Sequence, residues 1–336
     1  MSIPTLTAVA LGENLRDVPD APAHRPRRPL LLLGPSLGTA VTPLWASAAE
    51  ELARDCEPVG WELPGHGRGA ADAGEHSLAE LAARLQRERG LPEDAPFLYA
   101  GVSVDGAVGL ELALAHPERV AVLAALCTGA KIGTEQAWLE RAEFVAASGT
   151  PSQVIRSTRT WFADGFLAAQ PVAATELMHS LQEADRHSYA QLCRALSRHD
   201  LRERLAEIRV PVLAVAGAED PATPPACLRE IAEGVPDGRL LVIEGAAHLS
   251  CAEKPPGGGR GAERVLRRAP ARRRRRCRGR GGRAGRCLPS GLRPARAVRG
   301  PGPGARRGHR GAPAGALGCP RGPGRAGGHG VHRPLP

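Results

Sequence analysis

The eleven residues YAGVSVDGAVG (Tyr99–Gly109) decide how this chain folds. They continue an apolar run, PFLYAGV (Pro96–Val102), and lead into a helical pattern, so Ser103 stands at a strand–turn–helix junction. A nucleophile on such a turn projects from strained backbone, and the residues two before and two after it are small so that strand and helix can cross closely. Gly101 meets that condition and Asp105 does not. Two frames are open. In one, Ser103 is the nucleophile, Gly106 supplies the close approach, and Asp105 lies in the first helical turn. There the dipole and unpaired amides favour a carboxylate by about 0.3–1 kcal/mol. In the other, Ser-Val-Asp-Gly-Ala presents Asp105 itself as the nucleophile. The apolar run ends at Val102, not Val104, which favours the serine.

Working outward, short apolar runs predict strands at Leu30–Leu33, Glu57–Leu63, Pro96–Val102, Val120–Cys127, Val210–Ala216 and Arg239–Ile243, with a weaker one in Thr5–Ala10. Helical spacing covers Leu44–Arg54, Leu78–Arg89, Ala107–Ala115 and Ala226–Glu233. Strands alternating with helices predict an α/β fold, a mostly parallel, doubly wound sheet. Residues 131–205 break the rhythm with helical spacing and no strand-like run, which predicts a helical lid over the carboxyl ends of the strands, where ligands bind in such sheets.

A serine is a weak nucleophile without a base and an acid to orient that base. VPVLAVAGAEDPATPP ends a strand with Asp220 just past it, and GRLLVIEGAAHLS ends another with His248 just past it. Taken singly, Asp220 before Pro221 could merely begin a turn, and His248 could be a loop histidine. Ser103, Asp220 and His248 in that order, each at a strand end, match the order of elbow hydrolases. The Gly-rich turn LLLLGPSLGTAVTPLW offers the Leu37 amide for an oxyanion, and Val104 offers the amide after the nucleophile. His66, in the tight turn ELPGHGRG, reads as structural. No His-Glu-x-x-His, Walker loop or Gly-x-Gly-x-x-Gly occurs, so no metal and no cofactor are expected.

The net charge of +10 is unevenly spread: Pro255–Pro336 hold 22 arginines, no lysine and one acid, a net of +21, which leaves −11 on residues 1–254. The division expected is a hydrolase domain over 1–254 and a low-complexity basic tail over 255–336. The tail has no aromatic residue and too little apolar surface to offset the entropy of ordering, so disorder is expected. Its arginine tracts could bind nucleic acid non-specifically, but nothing in them stacks on bases. Arg, Gly, Ala and Pro share GC-rich codons, which suggests a frameshift near codon 255. AEKPPGGGRG would then stand where the hydrolase resemblance of the motifs implies a last helix, at a cost in stability or activity. Eight cysteines without metal-like spacing read as free thiols of a cytoplasmic protein, and no apolar run is long enough for a membrane span.

LPGHGRG, GVSVDGAVGLELALAHPERV, VPVLAVAGAEDPATPP and GAAHLSCAEKP together resemble the α/β-hydrolase family. GPSLGTAVTPLW and CTGAKIGTEQAWLERAEFV narrow the resemblance to the 3-oxoadipate enol-lactonases of aromatic catabolism (the β-ketoadipate pathway), over roughly residues 1–254. Some of these are fused to a carboxymuconolactone decarboxylase domain, which the tail does not resemble. The resemblance supports the serine frame and implies hydrolysis of a small carboxylated lactone. Such a substrate calls for a cation in the pocket. Arg141, three residues after Trp138 and so on the same helical face, is the first candidate and Lys131 the second, each weighed against an ordinary solvated charge. A general carboxylesterase and an Asp105-nucleophile hydrolase remain alternatives.

Overall fold

The computed structural model describes residues 7–10, 28–88, 91–92 and 95–255; the tail beyond Pro255 lies outside the described residues, as do the expectations made for it. Among the described residues seven strands form one sheet: β1 (Thr7–Ala10), β2 (Leu30–Gly34), β3 (Glu57–Glu62), β4 (Phe97–Val102), β5 (Val120–Leu126), β6 (Val212–Gly217) and β7 (Gly238–Ile243). Their order across the sheet is β1-β3-β2-β4-β5-β6-β7. Only the edge pair β1–β3 is antiparallel; the other pairings are parallel. All seven predicted strands are present, with ends shifted by a residue or two.

β4 and β6 are buried along their whole length, the expected result for near-continuous apolar strands covered on both faces. The covering helices include α1 (Val41–Leu52), α2 (Leu78–Leu85) and α3 (Val104–Ala115). α2 begins with a capping box, Ser77 accepting from the Glu80 amide while Glu80 reaches back to Ser77. α3 starts three residues earlier than the apolar spacing predicts. Its first turn holds Val104, Asp105 and Gly106, all buried, so an amphipathic stripe is not visible there.

The lid enters between β5 and β6, which are neighbours in the sheet. It comprises α4 (Glu135–Ser148), α5 (Val154–Trp161), α6 (Phe166–Ala169), α7 (Pro171–Glu183) and α8 (Arg186–Arg198). Thr134 caps α4 and Asp185 caps α8, each accepting the amide three residues on, while Pro171 opens α7. The lid's ends are joined at its base: the Leu201 amide donates to Ala130 O (2.8 Å) and Lys131 pairs with Asp200 (3.2 Å). After the lid come α9 (Pro225–Gly234) and a short α10 (Ser250–Glu253). Among the described residues no helix is long and apolar enough to cross a membrane.

The sheet order puts a topological switch between β2 and β4. The chain leaves β2 for β3 on one side and returns to β4 on the other. The crevice beyond the carboxyl ends of these two strands is where such sheets bind ligands. The turn after β2 and Ser103 after β4 flank it.

Candidate active site

Ser103 has φ 58° and ψ −118°, and directly precedes α3. Cys127, at the end of neighbouring β5, is the other non-glycine residue with positive φ among those described (44°). Such conformations cost of order 1–3 kcal/mol each and persist only where surrounding contacts impose them. Here the Ser103 amide donates to Leu126 O (2.9 Å), and its carbonyl accepts from the Thr128 hydroxyl (2.7 Å) and the Ala107 amide (3.1 Å). A Cβ at Gly106 would lie 2.8 Å from Thr128, so that glycine does supply a close approach. Cys127 also reaches the histidine loop, with Sγ 3.2 Å from Ser250 Oγ.

Asp105 answers the question its sequence position raises. A Cβ on Gly101 would sit 2.6 Å from the Asp105 carbonyl oxygen, so the residue two before the serine must be glycine. The residue two after need not be, because its side chain points beneath β2, where Gly34 has no side chain. Gly34 and Gly101 are register partners, and the Asp105 carboxyl fills the notch they leave. A methyl on Gly34 would fall 1.3 Å from Oδ2. The Tyr99 hydroxyl donates to Oδ2 (2.9 Å). Trp61 also faces the carboxyl, but its Nε1 falls short of hydrogen-bond geometry and Oδ1 has no donor. Burial raises this carboxyl's pKa well above the ordinary range, against the opposing effect of Tyr99 and Trp61. The expectation of a dipole-stabilised carboxylate is therefore corrected. Asp105 is in the first turn, but desolvation outweighs a dipole term of about 0.3–1 kcal/mol.

Asp220, three residues past β6, and His248, five past β7, are brought together, with Oδ2 2.8 Å from Nδ1. The carboxylate is held by three further donors. Ala222 and Thr223 amides bind Oδ1 (2.8 and 3.1 Å), and the Thr223 hydroxyl binds Oδ2 (2.6 Å). Burial alone would raise Asp220, but the His248 charge and hydrogen bond and the Thr223 donors outweigh it, and its pKa is lowered. The Thr223 hydroxyl also lies 3.4 Å from His248 Nδ1. Its signal, a Thr three residues after the Asp, is legible as a local turn motif.

The loop that carries His248 is tied to the lid. Glu253 accepts the Ala247 amide on Oε1 and the Ala163 amide on Oε2, both at 2.7 Å, and the Leu249 amide donates to Trp161 O (3.0 Å). Nothing in the sequence pointed to Glu253. Glu253→Gln keeps one acceptor and sets an NH2 against the other amide, stranding a buried donor at about 1–3 kcal/mol. The expected result is a lower urea midpoint and a reduced kcat, read by equilibrium unfolding beside steady-state assay.

After β2, the Ser36 amide is bound by Thr39 Oγ1 (2.9 Å), which leaves Leu37 as the next amide of the turn. Gly38 has φ +90°, and a Cβ there would collide with Leu181 and crowd Trp161 and Tyr189 of the lid, so this turn packs directly beneath the lid. Val104, Asp105 and Gly106 precede the first intrahelical bond of α3, which Ala107 donates to Ser103 O, so their amides have no partner within the helix.

The Arg141 guanidinium lies 5.3 Å from the Trp138 ring and 5.3 Å from the Tyr189 ring, and it donates to the Tyr189 hydroxyl. Its Nε is buried without a partner. The Trp138 indole donates to Ile132 O. Tyr189, which crowds Gly38, also stacks on His66 at 6.0 Å. His66 is structural, as its turn suggested: fully buried, Nδ1 against Pro64 O (2.8 Å), its pKa lowered by burial to about 4. Lys131 does not join Arg141; its charge is committed to Asp200, which also binds Arg202.

Residues 30–258 match the Alpha/beta hydrolase family. The chain belongs to that family. Among its relatives, 3-oxoadipate enol-lactonase 2 of Acinetobacter baylyi is 32% identical over 242 residues, 72% of this chain and 90% of that protein. The putative carbamate hydrolase RutD of Azorhizobium caulinodans is 30% identical, over 63% of this chain and 81% of its own length. Among solved structures, the enol-lactonase from Burkholderia xenovorans LB400 superposes with TM-score 0.65 at 26% identity, covering 73% of this chain and 90% of that one. This α/β hydrolase thus has relatives of differing named activity, and the family establishes a hydrolase without choosing the substrate.

Proposed function

We propose that residues 1–254 form a serine-type carboxylic ester hydrolase that opens a small enol-lactone bearing a free carboxylate, with 3-oxoadipate enol-lactone as substrate. The observation that carries this reading is Ser103 at φ 58° in the turn after β4, on the same sheet edge as a histidine already bound by Asp220. Ser103 Oγ attacks the lactone carbonyl while His248 Nε2 takes its proton. Amides at Leu37 and Val104 receive the developing oxyanion. Ring opening expels an enolate, which takes the proton held on His248 and tautomerises to the ketone, leaving His248 neutral. Water then gives a proton to His248 as it attacks the acyl-serine, and His248 returns that proton to Ser103 as the acid leaves.

The choice of a carboxylated substrate is supported by Arg141. It is a half-buried cation between two rings, one of which borders the turn after β2, and no carboxylate pairs with it among the described residues. The similarity to two enol-lactonases supports the same choice. Charge-assisted hydrogen bonds contribute about 1.5–3 kcal/mol, so Arg141→Met should raise KM for the enol-lactone roughly 10- to 100-fold. Hydrolysis of a neutral p-nitrophenyl ester should change little. Equal losses on both substrates would leave a general carboxylesterase as the second reading, in keeping with relatives of differing named activity.

A further inference from the structure

Asp105 is a buried acid that the steps above do not use, and it lies where the two halves of the oxyanion site meet. Its backbone belongs to the first turn of α3, one residue after the Val104 amide. Its side chain rests on Gly34, the last residue of β2, three residues before Leu37. Gly34 is held independently, because Trp45 Nε1 donates to its carbonyl (2.9 Å). The Asp105 carboxyl is thus the filler between the elbow and the strand that launches the opposing turn. Tyr99 fixes it from below through the 2.9 Å hydrogen bond to Oδ2.

We propose that Asp105 is a positioning residue for oxyanion stabilisation: by filling the notch between Gly34 and Gly101, it sets the spacing between the Leu37 and Val104 amides. The proposal rests on Ser103 being the nucleophile. Two donors stabilise an oxyanion only when both reach it at hydrogen-bond distance, and a displacement of about 1 Å can cost of order a hundredfold in rate. An empty notch would let β2 and the elbow settle toward each other, which changes that spacing.

The same geometry requires an uncharged side chain. β4 contributes Tyr99, β3 contributes Trp61 and β2 contributes only bare glycine backbone; among the described residues no cation acts on the carboxyl. A carboxylate there would be desolvated without a counter-charge and would sit beside the developing oxyanion. The protonated acid avoids both penalties, in keeping with a pKa pushed well above the ordinary range.

The test is a set of five proteins assayed on p-nitrophenyl butyrate: wild type, Asp105→Gly, Gly34→Ala, Gly34→Ala/Asp105→Gly and Asp105→Asn. Phenylboronic acid serves as the oxyanion-mimicking inhibitor. Asp105→Gly should lose about tenfold in kcat and a similar factor in boronate affinity, with KM within about twofold. Gly34→Ala alone forces a methyl into the carboxyl and should lose at least as much. In the double variant the methyl takes the carboxyl's place, so its kcat should exceed that of either single variant. Asp105→Asn, uncharged and of the same shape, should retain most activity. The infrared band of a protonated carboxylic acid present in wild type at neutral pH should be absent from it.

A double variant no better than the singles, or boronate affinity and KM changed alike in Asp105→Gly, would overturn the proposal. So would a carboxylate rather than an acid band assigned to Asp105. If the single variants fail to fold, Asp105→Asn and the infrared band still decide, since a charged Asp105 contradicts the role. Fluorophosphonate labelling of the wild type separates this proposal from the one beneath it. A labelled Ser103 without rescue in the double variant removes Asp105's role alone, whereas an unlabelled Ser103 removes the elbow chemistry and that role together.

Discussion

Ser103→Ala is expected to remove enol-lactone and ester hydrolysis by a factor on the order of 10⁶ in kcat, the loss seen when a serine nucleophile of a coupled triad is deleted. The size follows from the proposed mechanism: no other hydroxyl is supplied on the strained turn, so the residual rate would reflect binding and the oxyanion amides alone. Alanine keeps the Cβ and the backbone bonds to Leu126, Thr128 and Ala107 that impose φ 58°. The variant should therefore unfold at the wild-type urea midpoint while failing to react with a fluorophosphonate. The same experiment separates the two frames of the elbow. Full activity in Ser103→Ala with none in Asp105→Asn would transfer the nucleophile to Asp105. Its burial beneath Gly34 argues against that outcome, because no substrate carbonyl can reach a carboxyl that rests on strand backbone.

The second large effect is expected from Asp220→Asn, about 10⁴-fold in kcat. The hydrogen bonds dictate how the new amide must sit. Oδ1 accepts two backbone amides, from Ala222 and Thr223, so the asparagine oxygen takes that position. Its NH2 then replaces Oδ2 and faces His248 Nδ1 at the 2.8 Å contact. An N–H pointing at Nδ1 stabilises the tautomer with the proton on Nε2, the nitrogen that in the proposed mechanism accepts a proton from Ser103. Binding should be nearly unchanged, so kcat falls while KM stays within a few-fold. A loss below about tenfold would mean that Asp220 does not set the histidine's tautomer.

Much of this was legible in the chain itself. β4 and β6 are continuous apolar runs, and such runs between helical segments have few ways to bury themselves other than a covered parallel sheet. The lid was visible as a stretch where strand-like runs stop, and Asp220 and His248 stood out because each lies within a few residues of a strand end. Local chemistry explains what was legible: periodicity and chain order are properties of neighbours in sequence.

The remainder depended on neighbours in space. Asp105 looked misplaced because a sequence shows the residue two after Ser103 but not the glycine of β2 against which its side chain packs. Gly34 and Asp105 are 71 residues apart and meet only through the β2–β4 register. Glu253 looked like part of a loop until folding set its two oxygens on amides from the lid and the histidine loop. Arg141 stood first and Lys131 second as the candidate cation by their place in the sequence, and tertiary contact gives Lys131 an aspartate and Arg141 two aromatic rings. The sequence by itself determined the layers, the order of the chemical groups and the strand ends that carry them, since burial of apolar runs is non-directional and tolerates many neighbours. Only the tertiary structure decided which buried polar groups are satisfied and by whom. That depends on differences of a few tenths of an ångström in the distances between segments that share no local pattern.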